Sequence, residues 1–204
     1  MKLLSSLLAA AVLSVAATPL MAKVDVGQPA PSFSLTDSNG KTRTLEEFKG
    51  KTVVLEWTNA ECPFVKKHYG SGNMQAQQKE ATGAGVVWLA INSGAPGKQG
   101  QVEGGDANEQ MQIDRSAPTA YLLDPTGTTG RAYGASTTPH MYVIDGQGVL
   151  RYKGGIDSIQ SADAVDIPKA TQYVKQALAE LSAGKAVSVP VSPPYGCSVK
   201  YAAQ

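Results

Sequence analysis

Cys62 and Cys197, the two cysteines of this 204-residue chain, are the residues best equipped for chemistry, because a sulfur can attack, be oxidised and form a bridge. Their wide separation excludes a local Cys-x-x-Cys loop and a zinc ribbon, whose ligands come in close pairs. A cysteine reacts as its thiolate, and an isolated one, with a pKa near ~8.5, is mostly protonated at neutral pH. Something must therefore stabilise an anion at Cys62. Pro63 follows it, and proline is suited to the first position of a helix, where its missing N–H is not needed and its fixed φ is already right. Cys62 then becomes the capping residue, with unpaired backbone N–H groups and the positive end of the helix dipole directed at its sulfur. Lys66 and Lys67 lie about one turn further on and add positive potential, while Glu61 opposes it.

Other side chains near these positions admit more than one reading. Thr58 and Asn59 could hydrogen-bond a thiolate or a peroxide oxygen, although Thr and Asn also serve turns before helices for local reasons. Trp57 reads either as a wall of the site or as core. His68 and His140, with Cys62 and Met141, are the residue types that a copper ion takes, but there is no close cysteine pair or methionine cluster to support such a site. No metal or other cofactor is expected. Gly94-Ala95-Pro96-Gly97-Lys98 lacks the glycine spacing of a phosphate loop and the Ser or Thr after its lysine.

The elements that must position the sulfurs can be read from patterning. Thr52-Val53-Val54-Leu55-Glu56-Trp57 and Val86-Val87-Trp88-Leu89-Ala90-Ile91 are nearly continuous apolar runs, as expected of strands covered on both faces. The first runs straight into the Cys62 turn. Upstream, Phe33 to Thr44 reads as a hairpin around Asp37-Ser38-Asn39-Gly40, followed by a helical turn over Leu45 to Phe48. The helix begun at Pro63 is interrupted at Gly70-Ser71-Gly72, and the Gly-rich stretch from Ser93 to Gly105 reads as a surface loop. A helix over Asp106 to Asp114, a strand over Ala120 to Leu123 and a short helix at Gly130 to Tyr133 come next. Strands His140 to Ile144 and Val149 to Tyr152 flank an Asp145-Gly146-Gln147-Gly148 turn, and a last helix is predicted from about Pro168 to Ala183. Residues 190–204, with Pro190, Pro193 and Pro194, read as an extended arm that carries Cys197.

Residues 1–22 have the pattern of a secretory signal: Lys2, an uncharged apolar run from Leu3 to Ala17, and cleavage expected after Ala22. Export to a periplasmic or secreted location follows, where disulfides persist. Loss of Lys2 leaves 17 basic residues against 17 acidic ones. That balance argues against a nucleic-acid or anionic-membrane partner, and no other stretch is apolar enough to insert in a bilayer. Hydrophobic residues make up 42% of the chain, a globular composition, and the length suits one domain over 23–189 followed by the arm.

Leu55-Glu56-Trp57-Thr58-Asn59-Ala60-Glu61-Cys62-Pro63-Phe64-Val65 resembles the active-site strand, turn and helix of the thioredoxin superfamily, specifically its redoxin and peroxiredoxin-like (AhpC/TSA-related) branch. The resemblance extends over Val26-Gly27-Gln28-Pro29-Ala30-Pro31-x-Phe33, the Leu45 to Gly50 segment, Thr138-Pro139 and Tyr195-Gly196-Cys197-Ser198-Val199-Lys200-Tyr201. It implies an α/β, thioredoxin-like fold: a central mixed sheet flanked by helices, with an N-terminal β-hairpin and a C-terminal extended arm. It also implies a thiol/disulfide oxidoreductase acting through Cys62, with Thr138-Pro139 as the cis-proline beside the sulfur and Cys197 as resolving or partner cysteine. Protein thiols and disulfides, or a peroxide, would be the substrates, and an exported or membrane protein the electron donor. Val65 stands where thioredoxins have a second cysteine. Leu55 and Asn59 stand where peroxiredoxins have a proline and a Thr or Ser. Two rival readings remain open: a thiol peroxidase, and a non-enzymatic binding module whose structural Cys62–Cys197 bridge contributes up to about 5 kcal/mol.

Overall fold

In the computed structural model, residues 24–203 are described; the expected signal, 1–22, lies outside them. A seven-stranded mixed sheet has the order β2-β1-β5-β4-β3-β7-β8. Its strands are β1 (Ser34–Asp37), β2 (Thr42–Thr44), β3 (Val53–Trp57), β4 (Val87–Asn92), β5 (Ala120–Leu123), β7 (His140–Ile144) and β8 (Leu150–Gly154). The helices are α1 (Pro63–Gly70), α2 (Asn73–Gly83), α3 (Gly104–Asp114), α4 (Thr128–Tyr133) and α5 (Tyr173–Ser182). A separate two-stranded ribbon pairs β6 (Thr137–Thr138) with β9 (Cys197–Ser198).

The continuous apolar runs occupy the middle of the sheet because both of its faces are covered. Along β3, Val53, Leu55 and Trp57 join a core with Phe33, Phe48, Leu89, Ile91, Tyr133 and Tyr142. Val54 points the other way, into a core with Trp88, Met141, Val143 and Tyr152, closed by Met74 and Ala81 of α2 and Val174 and Ala177 of α5. This two-sided burial is what period-2 geometry requires of a central strand. Trp57 is core: its ring lies against Tyr133 and Tyr142, and its Nε1 donates to Ser93 Oγ at 3.0 Å.

Register decides which segments meet. β3 runs parallel to β4 and antiparallel to β7, with Trp57 opposite His140. The residues leaving β3 and those entering β7 therefore lie at the same end of the sheet, which brings the Cys62 turn beside Thr138-Pro139.

Two sequence expectations are corrected. The last helix does not start at Pro168: a 3-10 turn covers Ala164–Lys169, and α5 starts at Tyr173. Pro168 cannot donate into an α-helical ladder, and the segment between the two elements instead bonds back to the sheet's exit loop, with Tyr173 N to Ile156 O and Ser158 N to Thr171 O. The Gly-rich loop after β4 is not wholly a surface loop. Ser93 and Ala95 are buried, and the loop packs on the Cys62 turn through Asn59 Nδ2 to Gln99 O (3.3 Å) and Gly100 N to Glu61 Oε1 (3.3 Å). Gly100 is needed there, because a Cβ would collide with the Asn59 amide.

Because Leu55 is fully buried in the central strand, Leu55→Ala should destabilise the fold by about 2–5 kcal/mol, read as a lowered denaturation midpoint.

Candidate functional site

The Cys62 turn is built by local chemistry. Cys62 has extended backbone geometry, φ −72° and ψ 125°, and caps α1 with Pro63 in its first turn. Its carbonyl accepts the first helical bond, from Lys66 N at 2.9 Å. Asn59 shapes the approach: its Oδ1 accepts from Glu61 N (2.9 Å) and its carbonyl accepts from Cys62 N (3.0 Å). Thr58 is buried, its backbone N–H bonding Ile91 O at 2.9 Å, and its hydroxyl interacts with Glu56. Among the described contacts, the side-chain hydrogen bonds of Thr58 and Asn59 go to the turn and its supports, not to the sulfur.

Three segments converge on Cys62 Sγ, which has no solvent exposure. The peptide bond between Thr138 and Pro139 is cis, and Thr138 O accepts from Sγ at 3.1 Å. From the arm, Cys197 N donates to the same sulfur at 3.4 Å, across a sequence separation of 135 residues. Cys197 pairs with Thr138 in the β6–β9 ribbon. Gly196 makes that approach possible: its φ is +133°, and an added Cβ would collide with Thr138 O. Both cysteines are free thiols, Cys197 half-buried.

The two sulfurs have different acidities. Burial pushes the Cys62 thiol up, but hydrogen bonds from the Cys197 thiol, Thr138, and the Val65 and Cys197 backbone outweigh it, and the net shift is downward. The buried hydroxyl of Thr138 has no hydrogen-bond partner among the described residues. Cys197 is pushed up to about 11, first by burial and then by its hydrogen bond to, and the charge of, Cys62, with Lys200 acting weakly in the opposite direction. Cys62 is thus the first of the pair to ionise. Lys67 is not among the groups that lower Cys62. Its ammonium is buried and faces Asp157 Oδ2 at 3.5 Å.

Several residues around the site were not marked as functional by sequence reasoning. Tyr195, two positions before Cys197, is buried and bonded to Asp157 and His68. Glu56 lies in β3 with no exposure, accepting from Trp88 Nε1 (2.8 Å), Tyr69 Oη (2.8 Å) and Gln78 Nε2 (3.2 Å). Desolvation pushes its carboxyl up. A charged residue in an otherwise apolar strand was the available signal for Glu56, and Tyr195 stood in the closing motif of the family resemblance; Asp157 carried none. The histidines are occupied elsewhere: His68 by Tyr195 and Asn73, His140 Nδ1 by Ser136 N at 3.2 Å. Among the described residues there is no group of three or more His, Cys, Asp and Glu suited to a metal ion.

Two measurements follow from this geometry. Gly196→Ala should push Cys197 away from Thr138 and Cys62 while leaving the seven-stranded sheet intact, so that maleimide modification of reduced Cys62, mapped by peptide mass, speeds up. Burial lowers the pKa of His68 from 6.5 to about 4, so its ring proton resonances should titrate near pH 4. Between those two values the unfolded chain binds a proton that the native state refuses, so the contribution of His68 to stability falls as pH falls through that window. His68→Gln should accordingly show a shallower pH slope of unfolding free energy than the parent protein.

The chain is similar to several known proteins. The thiol-disulfide oxidoreductase ResA of Bacillus thuringiensis is 29% identical over 127 residues, covering 62% of this chain and 67% of that one. Peroxiredoxin Q of Populus jackii, a chloroplast protein, is 39% identical over 72 residues, a stretch covering 35% of this chain and 34% of its own. The crystal structure of a conserved protein from Geobacillus kaustophilus superposes with a TM-score of 0.79 at 26% identity, covering 88% of this chain and 94% of that one. Residues 26–153 match the AhpC/TSA family, and with the thioredoxin-like sheet and the capping cysteine in place, the chain belongs to that family.

Proposed function

We propose that the protein is an exported thiol/disulfide oxidoreductase in which Cys62 attacks and Cys197 completes a bridge with it. The observation that carries this reading is the contact at Cys62 Sγ, where the backbone N–H of Cys197 lies 3.4 Å away. In the first step the Cys62 thiolate attacks one sulfur of a substrate disulfide, forming a mixed disulfide and expelling the other sulfur as a thiolate. The Cys197 thiol then gives up its proton and attacks Cys62 Sγ. The substrate's second sulfur leaves, the proton goes to a leaving thiolate, and a Cys62–Cys197 bridge remains. One substrate disulfide has become two thiols, and a dithiol protein must return two electrons to the bridge. Thr138, with its neighbour Pro139, supports the site by contact with Sγ, and Thr58 and Asn59 hold the turn that presents the sulfur.

Since Cys62 is covered by the arm, a protein disulfide reaches it only when the arm lifts, whereas a peroxide is small enough to need less opening. Membership of the AhpC/TSA family and the similarity to peroxiredoxin Q favour peroxide as a second substrate. In that case the thiolate takes one peroxide oxygen to become a sulfenic acid, releasing an alcohol or water, and Cys197 displaces water to form the same bridge. Export rests on the pattern of residues 1–22.

Alkylation with mass analysis across glutathione buffers tests the pair. It should reveal one reversible bridge joining Cys62 and Cys197, with Cys62 modified at lower pH than an ordinary thiol. Cys62→Ser should abolish disulfide exchange and any peroxide consumption. A bridge resistant to reduction down to below about −300 mV, with inert reduced thiols, would instead make it structural.

A further inference from the structure

The arm is fastened to the molecule immediately before Cys197, and the fastening is made by the same helix that Cys62 caps. We propose that Tyr195 is a positioning residue for the sulfur pair, its hydroxyl lodged between His68 and Asp157 so that the arm is clamped to α1 with Cys197 over Cys62. This inference rests on the reading of Cys62 and Cys197 as a redox pair.

The hydrogen bonds of the clamp have a single consistent direction. Asn73 Nδ2 can only donate, so His68 Nδ1, 2.8 Å away, accepts, and the imidazole hydrogen sits on Nε2. That hydrogen goes to Tyr195 Oη at 3.1 Å. The tyrosine's own hydrogen then goes to Asp157 Oδ1, at 2.5 Å. Asp157 Oδ2 faces the Lys67 ammonium at 3.5 Å, and Lys67 also donates to Ile159 O at 3.2 Å. The tyrosine ring adds an edge contact with Phe64, centroids 5.9 Å apart, and lies under Lys67 Nζ at 5.6 Å. Phe64, Lys67 and His68 all belong to α1.

Two features distinguish this from ordinary core packing. His68, Lys67, Asp157 and Tyr195 are all buried, and a buried polar chain is tolerated only when each member is paired, which ties it to one geometry. Only Gly196 separates the clamp from Cys197, so little slack remains between the locked ring and the sulfur. Beyond Cys197 the arm is held independently, by Val199 N to Ser136 O (3.1 Å) and Tyr201 Oη to Ala135 O (2.7 Å). Releasing Tyr195 would therefore free the approach to Cys62 from one side without loosing the whole arm. Burial keeps His68 neutral, with a pKa of about 4, and pushes the Tyr195 hydroxyl up, so the clamp holds through neutral pH.

The test compares the parent protein with Tyr195→Phe, which keeps the ring and removes the hydroxyl. Loss of a hydrogen bond to a charged partner should lower the equilibrium constant of the Cys62–Cys197 bridge against glutathione about tenfold, and raise the alkylation rate of Cys62 in the reduced, folded protein by about as much. Asn73→Ala, which frees the orientation of His68 and removes a 3.4 Å hydrogen bond to Gln172 Oε1 but leaves Tyr195 in place, should move both in the same direction by less, and decides the matter if Tyr195→Phe does not fold. A lowered unfolding temperature with both constants within about twofold of the parent would make Tyr195 merely structural and overturn the proposal. If the parent protein forms no bridge in any glutathione ratio, the redox pair itself fails and the clamp with it.

Discussion

The antiparallel pairing of β3 with β7 is the constraint on which the rest of the molecule depends. With Trp57 opposite His140, the chain leaving β3 toward Cys62 and the chain entering β7 through Thr138-Pro139 must share one end of the sheet. A slip of one residue would turn Trp57 out of its aromatic nest with Tyr133 and Tyr142 and bury the wrong face, so burial itself enforces the register. Once that edge exists, the short ribbon of β6 and β9 has a fixed place to form, and Cys197 is delivered to Thr138.

The two sulfurs owe their different character to position. Cys62 stands at a helix start and collects donors from Cys197, Thr138 and Val65, which offset the penalty of burial. Cys197, on an extended strand, has burial and the neighbouring sulfur acting against its ionisation. One sulfur that ionises early beside another that keeps its proton is the division of labour that the proposed two-step exchange needs. The Cys197 and Thr138 side chains lead this and backbone N–H groups add to it, without a nearby lysine: the one buried lysine of α1 is committed to Asp157.

Buried polar groups on the α2 and α5 side of the sheet are arranged in closed sets. Glu56 is surrounded by three donors from β4, α1 and α2, and Asp157 by donors from α1, the arm and its own loop. Each set joins elements that apolar contact alone would leave free to slide, and each leaves few alternatives for its members' rotamers. Both sets include residues of α1, so the helix that Cys62 caps is fixed along its length by directional bonds.

Much of this was legible in the residues. The apolar runs of β3 and β4, the Asp37 to Gly40 turn, the Gly70 to Gly72 break and the Cys62-Pro63 helix start are local signals, set by side-chain period, backbone freedom and proline geometry within a few positions of each other. The cis-proline, the thioredoxin-like sheet and Cys197 as a partner came from resemblance to a family rather than from spacing. Tertiary structure alone decided that the loop after β4 packs on the Cys62 turn through Asn59, that Lys67 turns away from the sulfur, and that Tyr195 ties the arm to α1. These depend on pairings between residues far apart in the chain, Asn59 with Gln99 and Tyr195 with His68 and Asp157. Such pairings have no periodicity and no composition, so they exist only once the sheet has brought its ends together.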